Sequence, residues 1–163
     1  MAVDNTYQAI ATQTLGSAAA SVTFSSISGT YTDLRLIIVG GFAGGLDDLL
    51  VRVNSDSGTN YSRTFIYGNG TSAVSGRSSS NNGYYIAGLN GAQSVSKWDF
   101  MNYSNSTTYK TVLVRSDAAD WAAFATVGLW RSTAAITSMS IANGSAGNFN
   151  SGTSFTLYGI KAA

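Results

Sequence analysis

The 163-residue chain predicts an all-β fold, an antiparallel β-sandwich of jelly-roll type with about ten short strands. Three observations carry this expectation. Short segments rich in β-branched and aromatic residues recur, often with apolar and polar residues alternating at period two. Clusters of Gly, Asn, Asp and Ser separate them at intervals of about 8–15 residues, the spacing of a sandwich. Helical periodicity is weak throughout: "SDAADWAAFA" is the one stretch with a helical look, its Asp117 placed to cap it, and a strand from Ala122 to Trp130 reads at least as well there.

The elements follow in order. Tyr7 to Leu15 reads as a first strand or as an arm. Residues 1–20 are polar and Ala/Thr-rich and stand outside the clear pattern that fills residues 21–163 as a single domain. "SVTFSSI" turns Val22, Phe24 and Ile27 to one side. "TDLRLIIV" turns Leu34, Leu36 and Ile38 inward against Arg35, and "DLLVRVN" sets Leu49, Val51 and Val53 against Leu50 and Arg52. "YSRTFIYG" puts Tyr61, Arg63, Phe65 and Tyr67 on one face. "SVSKWDFMNY" opposes Ser96, Trp98 and Phe100 to Val95, Lys97, Asp99 and Met101, while "YKTVLVRS" opposes Lys110, Val112 and Val114 to Leu113 and Arg115. "AAFATVGLW", "AITSMSIAN" and "SFTLYGIKA" complete the set, the last with Phe155, Leu157 and Ile160 inward. Residues 68–83, "GNGTSAVSGRSSSNNG", read as a long exposed loop, either functional or mobile.

Composition narrows function. The chain has no His, Cys, Pro or Glu, which removes most of the usual acid–base and metal-ligating groups. The expectation is a protein that is not an enzyme and needs no cofactor or metal. Charged residues are 10% of the chain and the net charge is +1, too little field to hold a nucleic acid. The near-zero net charge favours association over a solitary existence. The N-terminus has neither a basic start nor an apolar stretch of signal-peptide kind, and "LRLIIVGGF" is too short to span a bilayer. Synthesis in a cytoplasm, with no membrane partner, is expected.

Few residues suggest chemistry. Asp47 and Asp48 are adjacent, so in a regular strand they face opposite ways and share no ligand. "NSDSGTNYS" has the oxygen-rich look of a calcium loop but offers one carboxylate, so a tight turn with Gly58 at positive φ is the better reading. Asp99, Asp117 and Asp120 have no spacing that implies a hydrolase pair. The glycine pairs of "VGGFAGG" precede no helix and no Lys-Ser/Thr, which makes them a turn rather than a phosphate loop. Five Asn-x-Ser/Thr sites reflect composition. Aromatics are the stronger lead: Tyr84 and Tyr85 close the polar excursion, and Trp98, Trp121 and Trp130 either fill the core or stack on a partner or sugar. Tyr84, Tyr85, Arg77 and Tyr7 are the candidate contact residues.

The run "SVTFSSISGTYTDLRLII", "LLVRVNSDSGTNYSRTFIYGNGTSAVSGRSS", "YSNSTTYKTVLVRS", "VGLWRSTAAITSMSI" and "GNFNSGTSFTLYGIKAA" resembles small β-sandwich virion proteins of phages, seen in cyanophages and marine phages. The resemblance covers Ser21 to the C-terminus. It implies a structural protein of the capsid surface or tail, and supplies no catalytic residues. The expected function is a capsid cement or decoration protein, a homotrimer binding the major capsid protein, with the segment before Ser21 as a clasp. The alternative is a receptor-binding or carbohydrate-binding head of a tail fibre, touching a host glycan through Tyr84 and Tyr85.

Overall fold

A computed structural model of the chain describes residues 6–91, 94–118 and 120–161. Twelve strands are found among them: β1 (Tyr7–Thr14), β2 (Ser21–Phe24), β3 (Asp33–Gly40), β4 (Asp47–Val53), β5 (Tyr61–Gly68), β6 (Ala73–Asn81), β7 (Tyr84–Leu89), β8 (Ser94–Phe100), β9 (Lys110–Ala118), β10 (Ala122–Trp130), β11 (Met139–Asn143) and β12 (Ser154–Ile160). They form the antiparallel sandwich that the alternation predicts. One sheet has eight strands in the order β1-β12-β3-β8-β9-β10-β5-β6, and the other has four, β2-β11-β4-β7.

Alternation decides which side chains meet between the sheets. From the large sheet, Leu34, Leu36, Ile38, Trp98, Phe100, Val112, Phe155 and Leu157 turn inward and are buried. From the small sheet come Val22, Val51, Val53, Ile86, Met139 and Ile141. Each fully buried aliphatic or aromatic side chain contributes about 1.5–3 kcal/mol. Two polar members of the core are satisfied locally. Trp98 Nε1 donates to Ser96 Oγ at 2.9 Å. Lys110, inward-facing as its strand position predicts, donates from Nζ to the carbonyls of Thr108 (2.7 Å) and Thr133 (3.0 Å), and burial pulls its pKa down.

Three expectations are corrected. Residues 68–83 are not a loop: Asn69–Ser72 make a tight hairpin turn, in which Asn69 Oδ1 accepts from the Thr71 and Ser72 amides, and residues 73–81 are strand β6. Ile160 turns outward, level with Asp33 and Tyr7, while Gly159 takes the inward place beneath the Tyr31 ring. The strand reading of Ala122 to Trp130 holds, since "SDAADWAAFA" is the end of β9, a turn and the start of β10, with Trp121 N donating to Ala118 O at 2.8 Å. The positive φ around Asp56 falls on Asn54 (52°) and Ser55 (57°), not Gly58. Of the N-terminal segment, residues 7–14 pair with β12 as an edge strand; residues 1–5 lie outside the described residues.

The sheets are joined by an aromatic cluster centred on Tyr84. Its ring meets Tyr61 edge-on at 4.9 Å, Phe100 at 6.1 Å and Trp98 at 6.4 Å. Gly128 makes room for it, since a Cβ there would sit 2.7 Å from the Tyr84 ring. Trp98→Ala is expected to lower unfolding free energy by about 3–5 kcal/mol in urea titration. A loss below about 1 kcal/mol would show that this cluster does not carry the core.

Candidate functional site

Antiparallel neighbours share a face, so the outward side chains of the large sheet line up in rows across eight strands. One row runs Ala9, Tyr158, Arg35, Asp99, Leu113, Val127, Thr64, Arg77. The next runs Thr12, Thr156, Ile37, Lys97, Arg115, Ala125, Ile66, Ser75. No second layer covers this face among the described residues. Leu113 is 50% exposed and Ile66 59%, and Val39, Val95 and Val127 are exposed with them. The small outward residues of β10, Ala123 and Ala125, leave a trough beside Ile66 and Arg115. It holds two depressions of about 480 and 470 Å³. Charge lies near the middle: Arg35 Nε meets Asp99 at 2.5 Å, and Lys97 reaches the same carboxylate at 3.5 Å.

Four residues marked by the sequence separate in space. Tyr7 stacks on Tyr158 (4.5 Å) under the Arg35 guanidinium (5.6 Å) at one edge of the outer face, and Arg77 lies on the same face at the other edge. Seven strand spacings put them about 34 Å apart. Tyr84 is 1% exposed and belongs to the core, so it is not a contact residue. Burial raises its hydroxyl pKa well above the usual value, and its hydroxyl meets Lys110 O at 3.3 Å. Tyr85 turns the other way and donates to Asn82 Oδ1 at 3.0 Å. The proposed tyrosine pair is therefore divided between the interior and the far surface of the small sheet.

A second cavity was not foreseen. The four-stranded sheet stops at β7, while the inner face of the large sheet continues through β5 and β6. Phe65, Tyr67, Phe124 and Trp121 gather in the uncovered part, their ring planes 21–31° apart. With Leu46, Asp47, Asp48, Arg63 and Gly88 they line a cavity of about 330 Å³. Asp47 and Asp48 both reach it because the β4–β7 pairing shifts register between Asp47 and Leu49, which breaks the strict alternation expected of adjacent strand residues. Arg63 binds Asp48 Oδ2 (3.0 Å) and the Tyr85 carbonyl and rests over the Phe65 ring at 5.1 Å. Its buried Nε has no acceptor among the described residues.

Asp56 is structural: it accepts from Gly58 N (2.8 Å), Asn60 Nδ2 (2.9 Å) and Trp130 Nε1 (2.6 Å), closing a tight turn with no calcium geometry. Asp117 pairs across from Val95, four residues along β8 from Asp99. Their backbones are thus about 14 Å apart, and Asp99 is already engaged by two cations. Among the described residues there is no group of three or more acidic side chains placed to hold a metal.

No family model matches the chain, and no curated protein does. Among solved structures it is similar to a galectin of Caenorhabditis elegans, at 9% identity and a TM-score of 0.37, covering 90% of this chain and 94% of that one. It is also similar to a toad ovary galectin solved with thio-digalactose (10%, TM-score 0.38, 85% and 98% covered) and to an alginate lyase solved with an alginate tetrasaccharide (8%, TM-score 0.34, 91% and 77% covered). These likenesses carry no argument about function.

Burial alone would raise the Asp56 pKa, but the bonds from Trp130, Asn60 and Gly58 outweigh it and hold the group below its ordinary 3.8. A carboxylate lowered by folding contributes stability that is present above its unfolded pKa and lost as pH falls through the folded one. Between about pH 4 and pH 2 the wild type should therefore lose stability more steeply than Asp56→Asn in urea unfolding. Equal slopes would mean that Asp56 does not supply this acid sensitivity.

Proposed function

We propose that this chain is a non-enzymatic virion protein of a phage, a cement or decoration protein that binds the major capsid protein and stabilises the shell. The observation that supports it is the uncovered outer face of the eight-stranded sheet. That face is about 34 Å wide and about 20 Å long, on the order of 700 Å². A standard protein interface takes about 800 Å² from each partner. Exposed Leu113, Ile66, Val127, Val95 and Val39 mixed with an Arg35–Asp99–Lys97 network near the middle give apolar area together with paired charges, a composition suited to a docking surface.

The mechanism is mechanical. A subunit seated across capsomer boundaries, in threes about a local threefold, adds contact area that must be broken before the shell ruptures. The segment before Ser21, the expected clasp, supplies an edge: β1 bonds β12 on one side and leaves its other side for strand addition by a neighbour. The carbohydrate-binding alternative at Tyr84 and Tyr85 loses that site, because Tyr84 is interior.

Particles stripped of the protein and re-bound with it should withstand more heat than stripped particles. The double variant Leu113→Lys, Val127→Thr changes only outward side chains, sets the new cation across from Asp99, and should keep its melting temperature while binding particles at least about tenfold more weakly. No gain in heat resistance from the wild type would remove the cement reading. Unchanged binding by the double variant would remove the outer face from it.

A further inference from the structure

We propose that the cavity around Trp121 is a saccharide-binding site, one that takes the apolar face of a neutral pyranose ring. The inference is separate from the docking face and holds for a capsid decoration and a tail-fibre head alike.

A pyranose presents a flat C–H face and a rim of hydroxyls. Its receptor needs a flat, accessible aromatic surface with hydrogen-bond acceptors at the edge. Trp121 sits on the β9–β10 turn and is 36% exposed, although it is packed against Phe124 at 5.3 Å and Tyr67 at 6.0 Å. Those neighbours fix the indole without covering it, so little ordering is required when a ring lands on it. The cavity of about 330 Å³ is small for a peptide and within the range of small-molecule sites.

The edge supplies acceptors. Asp47 Oδ1 already accepts from Asp48 N (2.7 Å) and Ser145 Oγ (3.1 Å), and Asp48 Oδ2 is held by Arg63. Asp47 Oδ2 and Asp48 Oδ1 have no partner among the described residues, although both residues line the cavity. Two carboxylate oxygens with open lone pairs, held by bonds to their sister oxygens, suit the hydroxyl pair of a sugar rim. The same arrangement selects against acidic sugars. Arg63, the cation lining the cavity, is engaged by Asp48 and lies over Phe65, so a uronate or sialate carboxylate would face two carboxylates.

The test is acrylamide quenching of tryptophan fluorescence. Trp98 and Trp130 are buried, so quenching reports Trp121. The probes are glucose, galactose, mannose, N-acetylglucosamine and their disaccharides, with glucuronate as the acidic arm and choline as a cation that aromatic surfaces also attract. At least one neutral probe should shield Trp121, with glucuronate inactive and choline shielding it more weakly than that probe. By calorimetry with that probe, Trp121→Ala and Asp47→Asn should each weaken binding about tenfold, while the outer-face double variant binds as wild type. Shielding by none of the neutral probes, shielding by glucuronate or choline alone, or full affinity in both single variants would overturn the proposal.

Discussion

A four-stranded sheet cannot cover an eight-stranded one, and that inequality shapes everything else in this molecule. β2, β11, β4 and β7 close over the middle of the inner face, where Trp98, Tyr84 and Tyr61 fill the gap between layers. Beyond β7 none of the described residues forms a lid over the large sheet. Its inward aromatics, placed by the same alternation that builds the core, meet solvent there. The cavity beside Trp121 is thus a direct product of mismatched sheet widths and not a separate loop-built feature.

The wide sheet has a second consequence on its other side. Eight strands present a broad outer face, on which exposed Leu113, Val127 and Ile66 sit among Arg35, Asp99, Lys97, Arg115 and Arg77. Burying such a face is favourable for association, whereas the interleaved Arg35, Asp99 and Lys97 favour a defined register over indiscriminate sticking. The edges are treated differently from each other. β6 is almost entirely polar, with Ser75, Arg77, Ser78 and Ser79 along it, a composition that discourages unplanned pairing at that end. β1, with Ala and Thr, is the more permissive edge.

Much of this fold was legible in the residues. Where inward positions are apolar and outward ones carry polar or charged residues, as in β2 and the first half of β3, the sequence specifies the element and its orientation. β6 was hidden because an edge strand with both faces exposed has no alternation to read. β7 was hidden because "YYIAGL" places an aromatic on each face, Tyr84 inward and Tyr85 outward, so side-chain type does not report side. The shared orientation of Asp47 and Asp48 arises from a register shift against β7, and no local pattern encodes a partner strand. Trp121 was ambiguous for a related reason, since the Ala-rich turn around it resembles a helix until β9 and β10 are seen to pair. Of the candidate contacts, Tyr84 is interior, Tyr85 lies on the outside of the small sheet, and Tyr7 and Arg77 lie at opposite edges of the broad sheet's outer face.

The central claim is that the outer face of the large sheet, and not the aromatic cavity, meets the particle. Hydroxyl-radical footprinting of the free and the particle-bound protein tests it in one measurement. The account predicts that labelling of Leu113, Val127 and Ile66 falls on binding while Trp121 remains as reactive as in the free protein. Loss of labelling at Trp121 with the outer-face residues still reactive would contradict it.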